Sequence, residues 1–142
     1  MALAGLRAMV EIPTGTGTMQ MSSQARRNFE RWRPIFEEVG RDMGVSPAFL
    51  AAVSKRESNP SWDADSRNPD TDAAGLMQIM PSNRVALGIE ETWRDPEVNI
   101  RAGARILLEQ GYGHKEIGVV LMGYGGFDAD VRGEEDDPDS YI

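Results

Sequence analysis

Among the side chains able to do acid–base chemistry, Glu57 holds the most favourable position. The residue pattern ends a helix there, and the partial negative charge of a helix C-terminus disfavours a second anion. Apolar neighbours such as Val53 desolvate the carboxyl group, and both effects favour its protonated form. A carboxyl group kept protonated near neutral pH is a general acid, the group needed to protonate the leaving oxygen of a glycosidic bond. The plain alternative is a solvated helix glutamate. Gln78 is a second candidate, because an amide inside an apolar segment needs both acceptors and donors, and a sugar supplies both. A core amide bonded to backbone fits the same pattern. Asp70 and Asp72 precede Gln78 and read as solvated loop acids.

The rest of the composition narrows the chemistry. Cysteine is absent and His114 is the single histidine, so a metal site would rest on carboxylates almost alone. Neither a metal nor another cofactor is expected. A net charge of -8 argues against nucleic acid as a partner, since phosphate binding needs a basic surface. That charge is uneven: from Phe127 to Ile142 there are seven acids and one base, Arg132, so the preceding body is close to neutral. A dense acidic run reads as a solvated segment. No stretch approaches the roughly 18 apolar residues of a membrane span. The opening Met1-Ala-Leu-Ala-Gly-Leu-Arg-Ala-Met-Val10 departs from a signal peptide, because Arg7 interrupts the apolar run and no basic residue precedes it.

The elements that must position these groups are helical. Residues 1–22 contain Pro13-Thr-Gly-Thr-Gly-Thr18 without periodicity and read as a flexible arm. Ser22 or Ser23 caps a helix carrying Phe29, Trp32, Ile35, Phe36 and Val39, with a kink or a fresh start at Pro34 and a stop at Gly44. Ser46-Pro47 starts a second helix, with Phe49, Leu50 and Val53 on its apolar face, that runs to about Ser58. A long polar loop to Ala74 follows, of the length that is usually functional or disordered. Asp95-Pro96 starts a helix with Val98, Ile100, Ala102, Ile106 and Leu107 as core positions, broken by Gly111 and Gly113. Lys115 to Gly123 forms the last helix, whose nearly continuous Ile117, Val119, Val120, Leu121 and Met122 predict a largely buried element.

Glu57-Ser58, then Ala64 and Ser66, then Gly75-Leu-Met-Gln-Ile-Met-Pro81, then Asp95-Pro96-Glu97-Val98-Asn99-Ile100 and Gly103, resemble the soluble lytic transglycosylases in order and spacing. The resemblance spans about residues 35 to 126 and implies a mainly α, lysozyme-like (goose-type) single helical domain with a long active-site loop. It divides the chain into an arm at 1–22, a catalytic domain at 23–126 and an acidic segment at 127–142. It also implies that Glu57 acts as acid and then base, that Ser58 orients it and the substrate's N-acetyl group, and that Met77 and Gln78 line the sugar groove. Gly75 would permit close backbone approach, or simply serve a turn. Asn99, Ile100 and Gly103 read as helix packing.

The third family motif, Ala-Tyr-Asn-Ala-Gly, is compressed here to Gly123-Tyr-Gly-Gly-Phe127, and only Tyr124 survives to bond the glutamate. Pro60 stands where the family often has an aromatic residue. Trp62, two residues later, either stacks on a sugar or anchors the loop. Goose-type lysozymes place an aspartate where this chain has Met80, so the resemblance implies a lytic route to a 1,6-anhydro product. Hydrolysis of the goose-type lysozyme kind, and a non-catalytic wall-binding or virion module, are the alternatives. The implied partner is peptidoglycan glycan, and the implied place of action is the bacterial cell wall. The start of the chain and the small size suggest a phage virion component or a domain of a larger protein. The ending at Asp139-Ser-Tyr-Ile142 resembles the point where members begin a final helix, as in a fragment. Deleting residues 1–20 is expected to leave the thermal midpoint essentially unchanged; a large drop in a melting experiment would show instead that the arm is packed.

Overall fold

The computed structural model describes the backbone of residues 21–132 and the side chains up to residue 125. The arm expected at residues 1–22 and the acidic segment expected at 127–142 fall outside this range, apart from residues 21 and 22 and the backbone of 127–132. The described residues form a mainly helical unit: α1 (Ser23–Met43), α2 (Pro47–Glu57), α3 (Pro81–Leu87), α4 (Pro96–Glu109) and α5 (Ile117–Arg132). Among them the only extended pairing is two isolated antiparallel bridges, Arg67 with Ala74 and Ala74 with Ile79. No described helix is long and apolar enough to cross a membrane.

Local chemistry sets the helix ends. Ser22 Oγ accepts from the Ala25 N–H at 3.0 Å and starts α1. Ser46 Oγ accepts from Phe49 N at 3.2 Å ahead of Pro47, and Asp95 Oδ1 accepts from Glu97 N and Val98 N ahead of Pro96. Each cap satisfies donors that have no partner inside the helix, and proline at the first position gives up an N–H that would have none. Pro34 neither ends nor restarts α1, which continues through it. The ring sits at an exposed position, where water can satisfy the carbonyl that loses its helical partner. The short α3 has the expected punctuation, proline first and Gly88 after, but too few apolar residues to show a helical period.

The core joins Phe29, Phe36 and Val39 of α1 to Leu50, Ala51 and Val53 of α2, Ile100, Ile106 and Leu107 of α4, and Val120 and Leu121 of α5. α1 packs chiefly on α4 and α2. Into the same core the long loop sends Trp62, Leu76, Met77 and Ile79. The expectation of a largely buried last helix is corrected: Ile117, Val119 and Met122 are 37%, 52% and 38% exposed, and only Val120 and Leu121 are buried. A helix apolar on several sides buries only the face its neighbours cover, and here the described neighbours cover one. α5 also runs nine residues past Gly123, because a helix interior tolerates glycine at a cost of about 1 kcal/mol each.

Trp62 resolves as an anchor. It is fully buried, its ring centroid is 4.9 Å from that of Phe29, and its Nε1 donates to Ala51 O at 3.0 Å. Its own carbonyl accepts from Trp32 Nε1, which ties the loop to α1 as well as to α2. Trp62→Ala should therefore cost about 3–5 kcal/mol of folding free energy. Chemical denaturation reads this directly, and a loss below about 1 kcal/mol would mean that the loop is not held by this ring.

Candidate active site

Glu57 is the last residue of α2 and is half-buried, with Val53 fully buried one turn earlier. Ser58 turns the chain out of the helix: its N–H donates to Ser54 O at 2.9 Å, and its Oγ donates to the same carbonyl at 2.6 Å. The Ser58 Oγ in turn accepts from Trp62 N at 2.7 Å. The Ser58 hydroxyl is buried and committed inside the chain, so its visible effect on Glu57 is to shape the helix end that carries it. One turn back, the fully buried Ser54 donates through Oγ to Leu76 O at 2.8 Å. This bond fastens the helix of Glu57 to the second motif.

That motif is a closed turn. Ala74 and Ile79 exchange backbone hydrogen bonds at 3.1 and 2.9 Å, and Gln78 N donates to Gly75 O at 3.1 Å. Gly75 has φ +85°, and a Cβ there would lie 2.0 Å from Asn99 Nδ2. The close approach that glycine permits is therefore to Asn99. Its amide oxygen accepts from Met77 N at 2.7 Å, while its nitrogen donates to Ala74 O and Trp93 O at 3.1 and 3.0 Å. The Met77 side chain is fully buried and lies against Gly103, where a Cβ would come within 2.6 Å of its carbons. The expectation that this side chain lines a groove is corrected accordingly, since in this fold it packs on α4.

Gln78 is half-buried with φ +51°, a left-handed conformation that is uncommon for a residue with a side chain. Its amide nitrogen donates to Gly75 O at 2.9 Å and lies near Ser66 O and Oγ at 3.2 and 3.3 Å. Two of these neighbours are carbonyls that can only accept, which fixes the orientation of the amide. Tyr124 of α5 donates through its hydroxyl to Met77 O at 2.6 Å. The structure thus brings Gly75, Met77, Gln78 and Tyr124 into one cluster and joins Glu57 to it through Ser54. Sequence reasoning missed the tie made by Ser54 and the bonding role of Asn99. The signal was present, because a serine or an asparagine on an otherwise apolar helix face must find a partner when buried.

Of the loop acids, Asp72 is half-exposed and is also paired. It pairs with Arg67, and its Oδ2 accepts from Arg84 Nη2 at 3.1 Å. The Arg67 hydrogen bond, with both guanidinium charges, holds the Asp72 carboxyl below the usual carboxylate range. Such a group stays ionised and is a weak base. Asp70 is exposed. Among the described residues no group of three or more histidines, cysteines or acids is placed to hold a metal ion.

The family model for the transglycosylase SLT domain matches residues 34–137. The chain belongs to that family. A protein of Enterobacteria phage PRD1 named "Transglycosylase" is 30% identical over 100 residues, which cover 68% of this chain and 35% of that protein. The match thus spans about a third of the relative's length. No solved structure matches the chain. The SLT domain match begins within α1 and contains every residue of the cluster as well as Glu57.

Because the Asp72 carboxyl is held below its ordinary value when folded, its contribution to stability is complete above the unfolded carboxylate value. That contribution is lost as pH falls through the folded one. Asp72→Asn should therefore flatten the acid limb of unfolding free energy against pH in this SLT domain. The check is denaturant unfolding at a series of pH values, and an unchanged acid limb would show that the pairing contributes nothing.

Proposed function

We propose that this chain is a peptidoglycan lytic transglycosylase that cleaves the MurNAc-β-1,4-GlcNAc bond and leaves 1,6-anhydro-MurNAc ends. The observation that carries the reading is Glu57 at the end of α2, in a helix bonded through Ser54 to the 75–78 turn, inside the SLT domain match. The printed name of the PRD1 relative supports the same activity.

In this reading Glu57 protonates the glycosidic oxygen as its bond to C1 of the muramoyl residue breaks. The substrate's N-acetyl group stabilises the developing positive charge. The muramoyl 6-hydroxyl then forms the new bond to C1 and returns its proton to Glu57, so no water is consumed and the acid is regenerated. Asp72 supports this route over hydrolysis, because a carboxylate engaged by two arginines is poorly suited to activating water. Gln78 and Tyr124 hold the sugar-facing turn, and Ser58 shapes the end of α2. No cofactor enters the reaction. The partner is the glycan strand, and the place of action is the bacterial cell wall. The phage origin of the PRD1 relative supports a phage-associated protein, and delivery within a virion is part of the proposal. The catalytic unit of this proposal is residues 23–126, between an arm at 1–22 and an acidic segment at 127–142.

Glu57→Gln keeps the shape of the side chain and removes its transferable proton. Clearing of a cell-wall suspension should slow by about two to four powers of ten, with the thermal midpoint unchanged or slightly raised. Mass spectrometry of wild-type digests should find muropeptides one water lighter than hydrolysed ones. Full activity in the variant removes Glu57 from the chemistry, whereas ordinary reducing ends as the primary product would make the enzyme a hydrolase of the goose-type lysozyme kind.

A further inference from the structure

A buried guanidinium is costly unless all of its hydrogens are directed at acceptors. Arg84, in the short α3, is 1% exposed. Its Nη1 donates to two backbone carbonyls, Asp72 O at 2.7 Å and Ile79 O at 2.6 Å. Its Nη2 donates to Asp72 Oδ2 at 3.1 Å and its Nε to Glu90 Oε1 at 3.3 Å. One nitrogen therefore bridges the two ends of the 72–79 segment, which contains the whole 75–78 turn.

The positions of those carbonyls matter. Among the described residues three non-glycines have positive φ: Trp62, Asp72 and Gln78. Arg84 holds the carbonyl of Asp72 itself and the carbonyl of the residue that follows Gln78. Left-handed backbone at a residue with a side chain persists only where its surroundings over-determine it. The Gly75–Asn99 contact fixes one side of the turn, and Arg84 fixes the side on which Gln78 lies. The packing of α3 itself does not account for the arginine, since an apolar side chain would fill the same space without a buried charge.

We propose that Arg84 is a positioning residue, which holds Gln78 in its left-handed conformation and so presents to the glycan the oxygen side of an amide whose nitrogen is bonded to Gly75 O. This rests on the reading of the 75–78 turn as the sugar-binding face. Arg84 acts through Gln78 and touches no substrate.

The test compares wild type, Arg84→Met, Arg84→Lys, Gln78→Ala and the Arg84→Met/Gln78→Ala double variant, using the full chain and purified peptidoglycan. Turnover is expressed per folded molecule. In the Glu57→Gln background, affinity for the same insoluble polymer is measured by cosedimentation. Arg84→Met should lower turnover and affinity by about tenfold, the worth of one lost charged hydrogen bond. Arg84→Lys should recover part of that loss, and the double variant should be no worse than Gln78→Ala alone. Wild-type turnover per folded Arg84→Met molecule, or losses that multiply in the double variant, would overturn the proposal. Where Arg84→Met does not fold, Arg84→Lys combined with Gln78→Ala decides by the same comparison. An active Glu57→Gln enzyme would sink the catalytic reading alone, and the cosedimentation series would still judge Arg84.

Discussion

The amide of Asn99 is the point on which the site's geometry depends. It is fully buried on α4, and all three of its hydrogen bonds go to backbone atoms of residues that are not helical: Met77, Ala74 and Trp93. Ala74 O also accepts from Ile79 N, but Met77 N and Trp93 O belong to buried residues outside any helix or bridge, and the amide gives both a partner. The geometry leaves no room for a side chain at residue 75, which explains the glycine there. It also brings the turn so close to α4 that Met77 requires Gly103 opposite it. Two glycines and one asparagine thus form a single packing unit, although Gly75 lies more than twenty residues from Asn99 and Gly103 in the chain.

The 23-residue connection between α2 and α3 has no sheet to hold it, yet its backbone is largely accounted for. Ser58 serves the Trp62 N–H, Ser66 exchanges hydrogen bonds with Asn59, and Gly75 N donates to Ser66 O at 2.7 Å. Each of these serines is buried, and each replaces a hydrogen bond that regular structure would have made. Trp62 adds the apolar anchor. A loop built in this way can keep a catalytic carboxyl group and a binding amide in register, as proposed for Glu57 and Gln78, while leaving its outer surface free of regular structure.

Charge is arranged with the same economy. The Asp72 carboxylate is shared between exposed Arg67 and buried Arg84, and the two arginines Arg67 and Arg94 lie over the ring of Trp93 at 5.6 and 4.3 Å from its centroid. The acid that lies closest before the motif in sequence is therefore spent on holding the loop. This has a chemical consequence for the proposed reaction: with Asp72 anchored, Glu57 is left to handle the proton, and the substrate supplies the nucleophile.

Much of this was legible in the residues themselves. Ser22, Ser46-Pro47 and Asp95-Pro96 marked helix starts by local capping chemistry, which depends only on neighbours within three positions. The spacing of Glu57, the 75–81 block and the 95–103 block was sufficient to indicate the SLT family. What depended on tertiary structure was the direction and partner of each polar side chain. Trp62 could have faced a sugar until the core claimed it, and Met77 could have lined a groove until Gly103 offered a recess. Ile117, Val119 and Met122 read as buried because hydrophobicity is local, whereas burial requires a neighbour. Asp72 read as a solvated loop acid, and it joined Arg84 in a brace only when the chain folded Ile79 and Glu90 around the guanidinium. Capping and periodicity are short-range, so the sequence alone determined them. Which buried polar group meets which carbonyl is set by contacts up to 47 residues apart, as between Tyr124 and Met77, and only the packed structure decides them.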